Sequence, residues 1–142
     1  MSETNPPRPK GRGTLAIVAG ALAAIVLSIG TDAVLHAIGL YPPLGRPMSD
    51  PLLLLATAYR AVYGIAGSYI AARLAPDRPM WHALVLGAIG CAVSLLGAVV
   101  TWNKTEVFGP HWYPVALVVL AMPQAWVGGK LREMQLASQP SR

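Results

Sequence analysis

Four long apolar segments limit how this 142-residue chain can fold more than any other feature of its sequence. They cover residues 14–40, 51–74, 81–101 and 112–131. A helix of about 18 or more mostly apolar residues is long enough to cross the hydrocarbon of a bilayer. Only 12% of the residues are charged, whereas soluble domains carry roughly 25%. The sequence therefore predicts an all-α protein, a four-helix transmembrane bundle that occupies residues 14–131.

Basic residues are distributed unevenly between the two sides of the predicted bundle. One side holds Arg8, Lys10, Arg12, Arg73, Arg78, Lys130, Arg132 and Arg142, and the other holds Arg46 and Lys104. The positive-inside rule places the richer side, and with it both termini, in the cytoplasm (N-in, C-in). Residues 1–13 are predicted to be a disordered basic tail and residues 132–142 a second cytoplasmic tail. Without an organelle signal, this pattern predicts a multi-pass protein of the bacterial inner (cytoplasmic) membrane.

One acid and one arginine, Asp32 and Arg60, fall well inside the apolar segments. At 1.5 Å of rise per residue, Asp32 lies ~12 Å below the predicted end of the first helix at Leu40. Arg60 lies ~13 Å below the start of the second helix at Pro51, so both side chains reach a similar depth. Charged groups inside a membrane usually pair with one another. The sequence therefore predicts an Asp32–Arg60 ion pair between the first two helices.

The residues around this pair have helical spacing. Small and polar residues form one row on the first helix and another on the second, which predicts that these rows are the contact faces. The rows are Gly20, Ala24, Ser28, Asp32 and His36, and Arg60, Tyr63, Gly64, Gly67 and Ala71. Asp32, His36, Tyr59, Arg60 and Tyr63 form the predicted buried polar cluster, in which His36 hydrogen-bonds Asp32 or Tyr59. The cluster either holds two helices in register or relays a proton or binds a polar ligand.

The fourth segment contains a proline and a glutamine at adjacent positions. Pro123 cannot donate a hydrogen bond to the carbonyl of Val119, which predicts a kink. Gln124 lies inside the predicted bundle and needs a partner such as Ser94 or a water molecule. A packing role for these two residues is weighed against a role in gating.

Motifs for catalysis or metal binding are missing from the sequence. The single cysteine, Cys91, excludes an intrachain disulfide and a cysteine-based zinc site. No nucleophile motif, phosphate loop or pair of catalytic carboxylates is present, so no catalytic residue, metal or cofactor is predicted. A haem held between His36 and His111 is geometrically conceivable, and His82 is expected to be solvated at the membrane surface. The scattered basic residues do not form a nucleic-acid-binding face.

Three stretches of the sequence, AYRAVYG at 58–64, LAPDRPM at 74–80 and HAL at 82–84, resemble small four-helix bacterial inner-membrane proteins. The likeness extends to the YPP loop at 41–43. It implies a bacterial inner-membrane location and implies neither an activity nor a cofactor.

Three classes of function are compatible with these patterns. The first is an accessory or scaffold subunit of a membrane complex, whose partners are the lipid bilayer and other membrane subunits or copies of itself. The second is a small transporter or proton-linked permeation unit that uses Asp32, His36 and Arg60. The third is a membrane redox or lipid-modifying enzyme.

Overall fold

The computed structural model describes residues 11–140, and within them the chain is helical and contains no strand. The helices are α1 (Gly11–Ala37), α2 (Asp50–Leu74), α3 (Pro79–Thr101), α4 (Thr105–Phe108) and α5 (Trp112–Ala137). Three of them, α1, α3 and α5, are long and apolar enough to cross a membrane. The protein is therefore all-α with three candidate membrane spans. The four-span bundle and its orientation stay predictions, and residues 1–10 of the predicted basic tail lie outside the described residues.

The helix bounds differ from the predicted ones mainly at three ends. Helix α1 begins at Gly11 rather than 14 and ends at Ala37 rather than 40. Gly39 then takes a positive φ of 76°, and the amides of Leu40 and Tyr41 both donate to the carbonyl of Leu35 at 3.0 Å. A left-handed glycine with such back-bonding is a common way to terminate a helix. The apolar run therefore continues past the end of α1, because the turn at Gly39 ends the helix while the sequence stays apolar.

The third end is that of α5, and a short helix that was not predicted precedes α5. Helix α4, a single turn, was not predicted because its sequence, TEVF, is too short for a periodic pattern. Helix α5 continues to Ala137, beyond the predicted end at 131. Its last turns are polar on the outside, and Arg132 donates to Gln135 Oε1 at 2.8 Å. The apolar segment marks the part of α5 that suits a membrane, while the helix itself extends past it.

Helix α2 lies at the centre of the helix packing, in contact with α1, α3 and α5. Glycines allow the close approaches. A Cβ atom on Gly67 would lie 2.6 Å from the carbonyl oxygen of Gly20, and one on Gly128 would lie 2.6 Å from that of Ile65. A Cβ atom on Gly87 of α3 would clash with Ala125 of α5. Small residues that bring backbones together are typical of helix contacts in membranes.

Two ends of the molecule can be distinguished by their connections. The loop end comprises residues 38–49 and 102–111, and Trp112 Nε1 donates to Asp50 Oδ1 across it at 3.0 Å. The opposite end carries the turn between α2 and α3. There, His82 is only 8% exposed, so the expectation of a solvated His82 is wrong. Its ring packs against Gly13 and donates from Nδ1 to the carbonyl of Arg78 at 3.2 Å, which satisfies the buried nitrogen.

Candidate functional site

An ion pair joins α1 to α2 near the loop end. Arg60 Nη2 lies 2.5 Å from Asp32 Oδ2. The two side chains are 27% and 28% exposed, so the pair is half-buried. The short loop between α1 and α2 makes these helices antiparallel neighbours, which is why two residues at similar depth meet.

Three tyrosine hydroxyls surround the pair. Tyr59 donates to Asp32 Oδ1, and the hydroxyls of Tyr41 and Tyr59 lie 3.1 Å apart. Arg60 Nη1 donates to the hydroxyl of Tyr113 at 2.8 Å. The result is a continuous hydrogen-bonded network that runs Tyr41–Tyr59–Asp32–Arg60–Tyr113 and connects the loop, α1, α2 and α5.

Two members of this network, Tyr41 and Tyr113, were not among the predicted site residues. Tyr41 is only 4% exposed although it follows α1 in a proline-rich loop. Tyr113 lies in the first turn of α5, near the start of the fourth apolar segment. Counting residues along the backbone places Arg60 and Tyr113 at different depths and so misses this contact. Their long side chains together bridge that difference in depth. The sequence signal that could have predicted this contact is a tyrosine in the first turn of a neighbouring helix.

Two predicted members, His36 and Tyr63, lie next to the ion pair rather than on it. His36 hydrogen-bonds Asp32 through the main chain, since its Nδ1 donates to the carbonyl of Asp32 at 2.8 Å, and it does not contact Tyr59 as a hydrogen-bond partner. Its ring meets Tyr41 edge-on, with centroids 5.3 Å apart. The hydroxyl of Tyr63 lies 2.8 Å from Thr31 Oγ1. The predicted cluster is therefore divided into three parts. Asp32, Tyr59 and Arg60 belong to the network, His36 is bonded to the main chain of α1, and Tyr63 makes a separate contact with Thr31.

A loop-end cavity of about 220 Å³ lies on one side of the ion pair. Its floor is formed by Asp32 and Arg60, and His36, Arg46 and Tyr113 line its walls. The loop 41–48 and the last two residues of α4 complete it. Arg46 is exposed, so the cavity is continuous with the surface at the loop end.

A central cavity of about 420 Å³ lies on the other side of the same pair. All four long helices line it, and Asp32 and Arg60 again form part of its wall. Its other polar lining groups are Ser28, Ser68, Ser94 and Gln124. The lining side chains Ile25, Ile29 and Val93 are exposed, which shows that this cavity opens sideways between α1 and α3. The ion pair thus separates two cavities and touches both.

Gln124 packs against a glycine of α2. A Cβ atom on Gly64 would clash with the Gln124 amide, so Gly64 serves the contact with α5 and not the predicted contact with α1. Gln124 and Ser94, its predicted partner, both line the central cavity. Helix α5 is continuous through Pro123. The kink at Pro123 stays a prediction.

Gly64→Ala should therefore displace the Gln124 amide and lower the free energy of unfolding by about 1–3 kcal/mol, as over-packing of a filled contact does. In the double variant Gly64→Ala/Gln124→Ala the obstructing amide is gone, and most of that loss should be recovered. Thermal unfolding of the purified variants in detergent measures both values. Equal destabilisation with and without Gln124 would contradict this account of the contact.

The remaining histidine on this side is also held by the main chain. His111 Nε2 donates to the carbonyl of Trp102 at 2.8 Å, and the two rings stack at 4.3 Å. Across residues 11–140, no three histidine, cysteine or acidic side chains come close enough together to hold a metal ion.

Comparison of the chain with protein-family models, curated proteins and solved structures gives no match. Function is therefore inferred from the network and its two cavities.

Proposed function

We propose that this protein is a small proton-linked permeation unit of the bacterial inner membrane, in which Asp32 carries the proton and the Asp32–Arg60 pair is the gate. One observation carries the proposal: the pair lies between the loop-end cavity and the central cavity and lines both. An ion pair that only held helices together would be better stabilised by close packing than by a cavity on each side. Ionisable residues inside a membrane that face a cavity commonly mark a pathway for ions or substrates.

The proposal takes α2 as a fourth span beside α1, α3 and α5. Its 25 residues give a length of ~37 Å, which exceeds the ~30 Å of bilayer hydrocarbon. Its most polar residues contact other helices: Arg60 and Tyr59 reach α1, and Arg60 also reaches α5. In this arrangement α1, α3 and α5 pack against α2 and shield its polar residues from lipid.

The proposed orientation places the loop end outside the cell. Arg46 and Lys104 are the basic residues at that end, within the described part of the chain. Arg12, Arg73, Arg78, Lys130 and Arg132 lie at the other end. This asymmetry supports cytoplasmic termini under the positive-inside rule. Protons from the external medium would then reach the pair through the loop-end cavity.

The hydroxyl network offers a route for the proton. Tyr59 gives its proton to Asp32 and takes one from Tyr41, which takes one in turn from a hydronium ion in the loop-end cavity. His36 can also deliver protons from the cavity. Its Nδ1 donates to the carbonyl of Asp32, so Nε2 of the neutral ring is free to accept a proton. Once Asp32 is protonated, its negative charge is lost and its attraction for Arg60 falls. Arg60 keeps its bond to Tyr113 and can separate from Asp32, which opens the gate.

An accessory or scaffold subunit is the second candidate function. Within the described residues, every buried side-chain nitrogen and oxygen has a hydrogen-bond partner. A fully satisfied network that connects three helices is suited to hold them in register. In that case Asp32 would stay ionised, and the variant Asp32→Asn would change stability without changing any flux.

Proton flux into vesicles separates these two functions. The purified protein is reconstituted with pyranine inside, with equal potassium methanesulfonate on both sides and valinomycin to remove the membrane potential, and the outside is acidified. The wild-type protein should acidify the lumen faster than empty vesicles do. Asp32→Asn should slow this flux at least about tenfold, because the group that carries the proton is lost.

Asp77→Asn is the matched control, since Asp77 is an exposed acid in the turn between α2 and α3. It should leave the flux unchanged. Wild-type flux no faster than that of empty vesicles, or an Asp32→Asn flux equal to the wild-type flux, would remove the permeation function and leave the scaffold function in place.

A further inference from the structure

We infer that the loop-end cavity binds a small oxyanion on Arg60 when Asp32 is protonated, so that an anion accompanies the proton. This inference rests on the proposed function and adds to it the chemical class of the solute. Its physical basis is the charge of the cavity wall and the geometry of the guanidinium.

The loop-end cavity has an excess of positive charge. Its charged lining groups are one carboxylate, Asp32, and two guanidiniums, Arg46 and Arg60, and His36 adds a third cation when it is protonated. Among residues 11–140, no other aspartate or glutamate lines the cavity. While Asp32 is ionised it neutralises Arg60. When Asp32 is protonated, both guanidiniums face the cavity without a counter-charge, which favours an anion.

The contacts of Arg60 indicate which anion fits. A guanidinium binds carboxylate-like oxygens through two parallel N–H donors. Asp32 Oδ2 already accepts from Nη2 at 2.5 Å, so this carboxylate holds the position that an oxygen of a bound oxyanion would take. Tyr113 accepts from Nη1 at 2.8 Å and lines the same cavity, which leaves its own hydroxyl proton to donate to an anion. The Asp32 carboxylate thus occupies the position on Arg60 that the anion would take.

The other groups that face Asp32 also favour an anion in the cavity. The titratable and charged side chains around it are His36 from α1, Tyr41 and Arg46 from the loop, Tyr59 and Arg60 from α2, and Tyr113 from α5. The lining residues of α3 and α4 add no titratable side chain to either cavity. Protonation of His36 would also add positive charge. Loss of the Asp32 charge should therefore strengthen anion binding, and an Asp32→Asn variant measures the part that Asp32 contributes.

The size of the cavity limits the solute. A volume of about 220 Å³ accommodates a small oxyanion, whereas a nucleotide or a lipid headgroup with its chains would not fit. Methanesulfonate is a suitable probe because it is a strong acid and keeps a single charge across the pH range of the experiment.

Isothermal titration of the purified protein in detergent with methanesulfonate tests the inference, with Asp32→Asn standing for the protonated carboxyl. Asp32→Asn should bind at least about tenfold more tightly than the wild type, a typical size for coupling between two ligands, because the competing charge is gone. The double variant His36→Gln/Asp32→Asn should keep most of that gain. Arg60→Gln should abolish binding, and Lys104→Gln, an exposed cation outside the cavity, should have no effect.

An Asp32→Asn variant that binds no more tightly than the wild type, or an Arg60→Gln variant that binds as tightly as Asp32→Asn, would overturn the inference. If Arg60→Gln does not fold, Arg60→Lys keeps the charge and loses the two-pronged donor geometry, and it should bind at least several-fold more weakly. The two proposals fail separately. Proton flux without methanesulfonate binding to Asp32→Asn removes the anion and keeps the permeation function, whereas binding without flux keeps the anion site and removes permeation.

Discussion

Replacing Arg60 by alanine should lower the free energy of unfolding by about 3–5 kcal/mol, the range found when one partner of a buried ion pair is removed. The loss is large because Asp32 keeps a charge with only the Tyr59 hydroxyl to stabilise it, and Tyr113 loses its donor. The lower end of the range is expected, since about a quarter of each charged side chain is accessible (27% and 28%). Unfolding of the detergent-solubilised protein by increasing amounts of SDS measures the change.

The double variant Arg60→Ala/Asp32→Ala should be more stable than the Arg60→Ala variant, because no unpaired charge is left. Lys130→Ala provides the control. It breaks the exposed Lys130–Glu133 pair, whose atoms lie 3.5 Å apart, and should change stability by less than about 1 kcal/mol. Single and double variants of equal stability would show that the two charges do not interact.

The charge-swapped variant Asp32→Arg/Arg60→Asp separates structure from function. It should restore stability towards the wild-type value if the pair mainly connects α1 to α2. It should not restore proton flux, because the acid at position 60 no longer takes the place that accepts from the hydroxyl of Tyr59. Recovery of both stability and flux would contradict the role of Asp32 as the proton carrier.

Gly20→Ala is the second variant with a large expected effect. Its new Cβ atom would clash with the main-chain oxygen of Gly67 and lie 3.0 Å from both Ala71 Cβ and Leu86 Cδ2. Main chain cannot move aside as a flexible side chain can, so α1 would have to shift away from α2. We expect a loss of about 1–3 kcal/mol or more in the free energy of unfolding.

Gly30→Ala is the matched control on the same helix. A Cβ atom there meets nothing within 4 Å. Alanine favours the helical backbone over glycine, so this variant should be unchanged or stabilised by up to about 1 kcal/mol. Thermal unfolding of both variants side by side provides the test. A Gly20→Ala variant as stable as Gly30→Ala would show that α1 and α2 do not approach as closely at Gly67 as the structure describes.

Hydropathy located the long helices well and their ends less well. Apolarity indicates where a segment can lie in lipid and not where its helix begins or ends. Helix α2, from Asp50 to Leu74, begins and ends within one residue of the prediction because prolines lie beside both of its ends. Helix α1 ends at Ala37 because Gly39 turns the chain, while the sequence stays apolar to Leu40. Glycine is frequent along α1, and nothing in composition distinguishes Gly39 from a glycine within the helix.

The ion pair itself could be predicted because charged residues in apolar segments are few and their depths can be counted. Its tyrosine partners could not, since depth along the backbone says nothing about how far a long side chain reaches. The same limit applies to contact faces. Gly64 was placed on the face towards α1 by its spacing from Arg60, yet it serves α5, because α2 is covered by three helices and small residues are needed on more than one side.

The central position of α2 has a consequence for how the chain enters its membrane. In the proposed four-span arrangement, α2 brings an arginine that is unfavourable by about 2.5–3.5 kcal/mol at the middle of an isolated helix. Synthesis runs from the amino terminus, so α1 and its carboxylate are available before Arg60 leaves the ribosome. Helices α1 and α2 should therefore insert as a preformed hairpin. A nascent chain that carries Asp32→Ala should leave its second helix outside the lipid more often than the natural chain does.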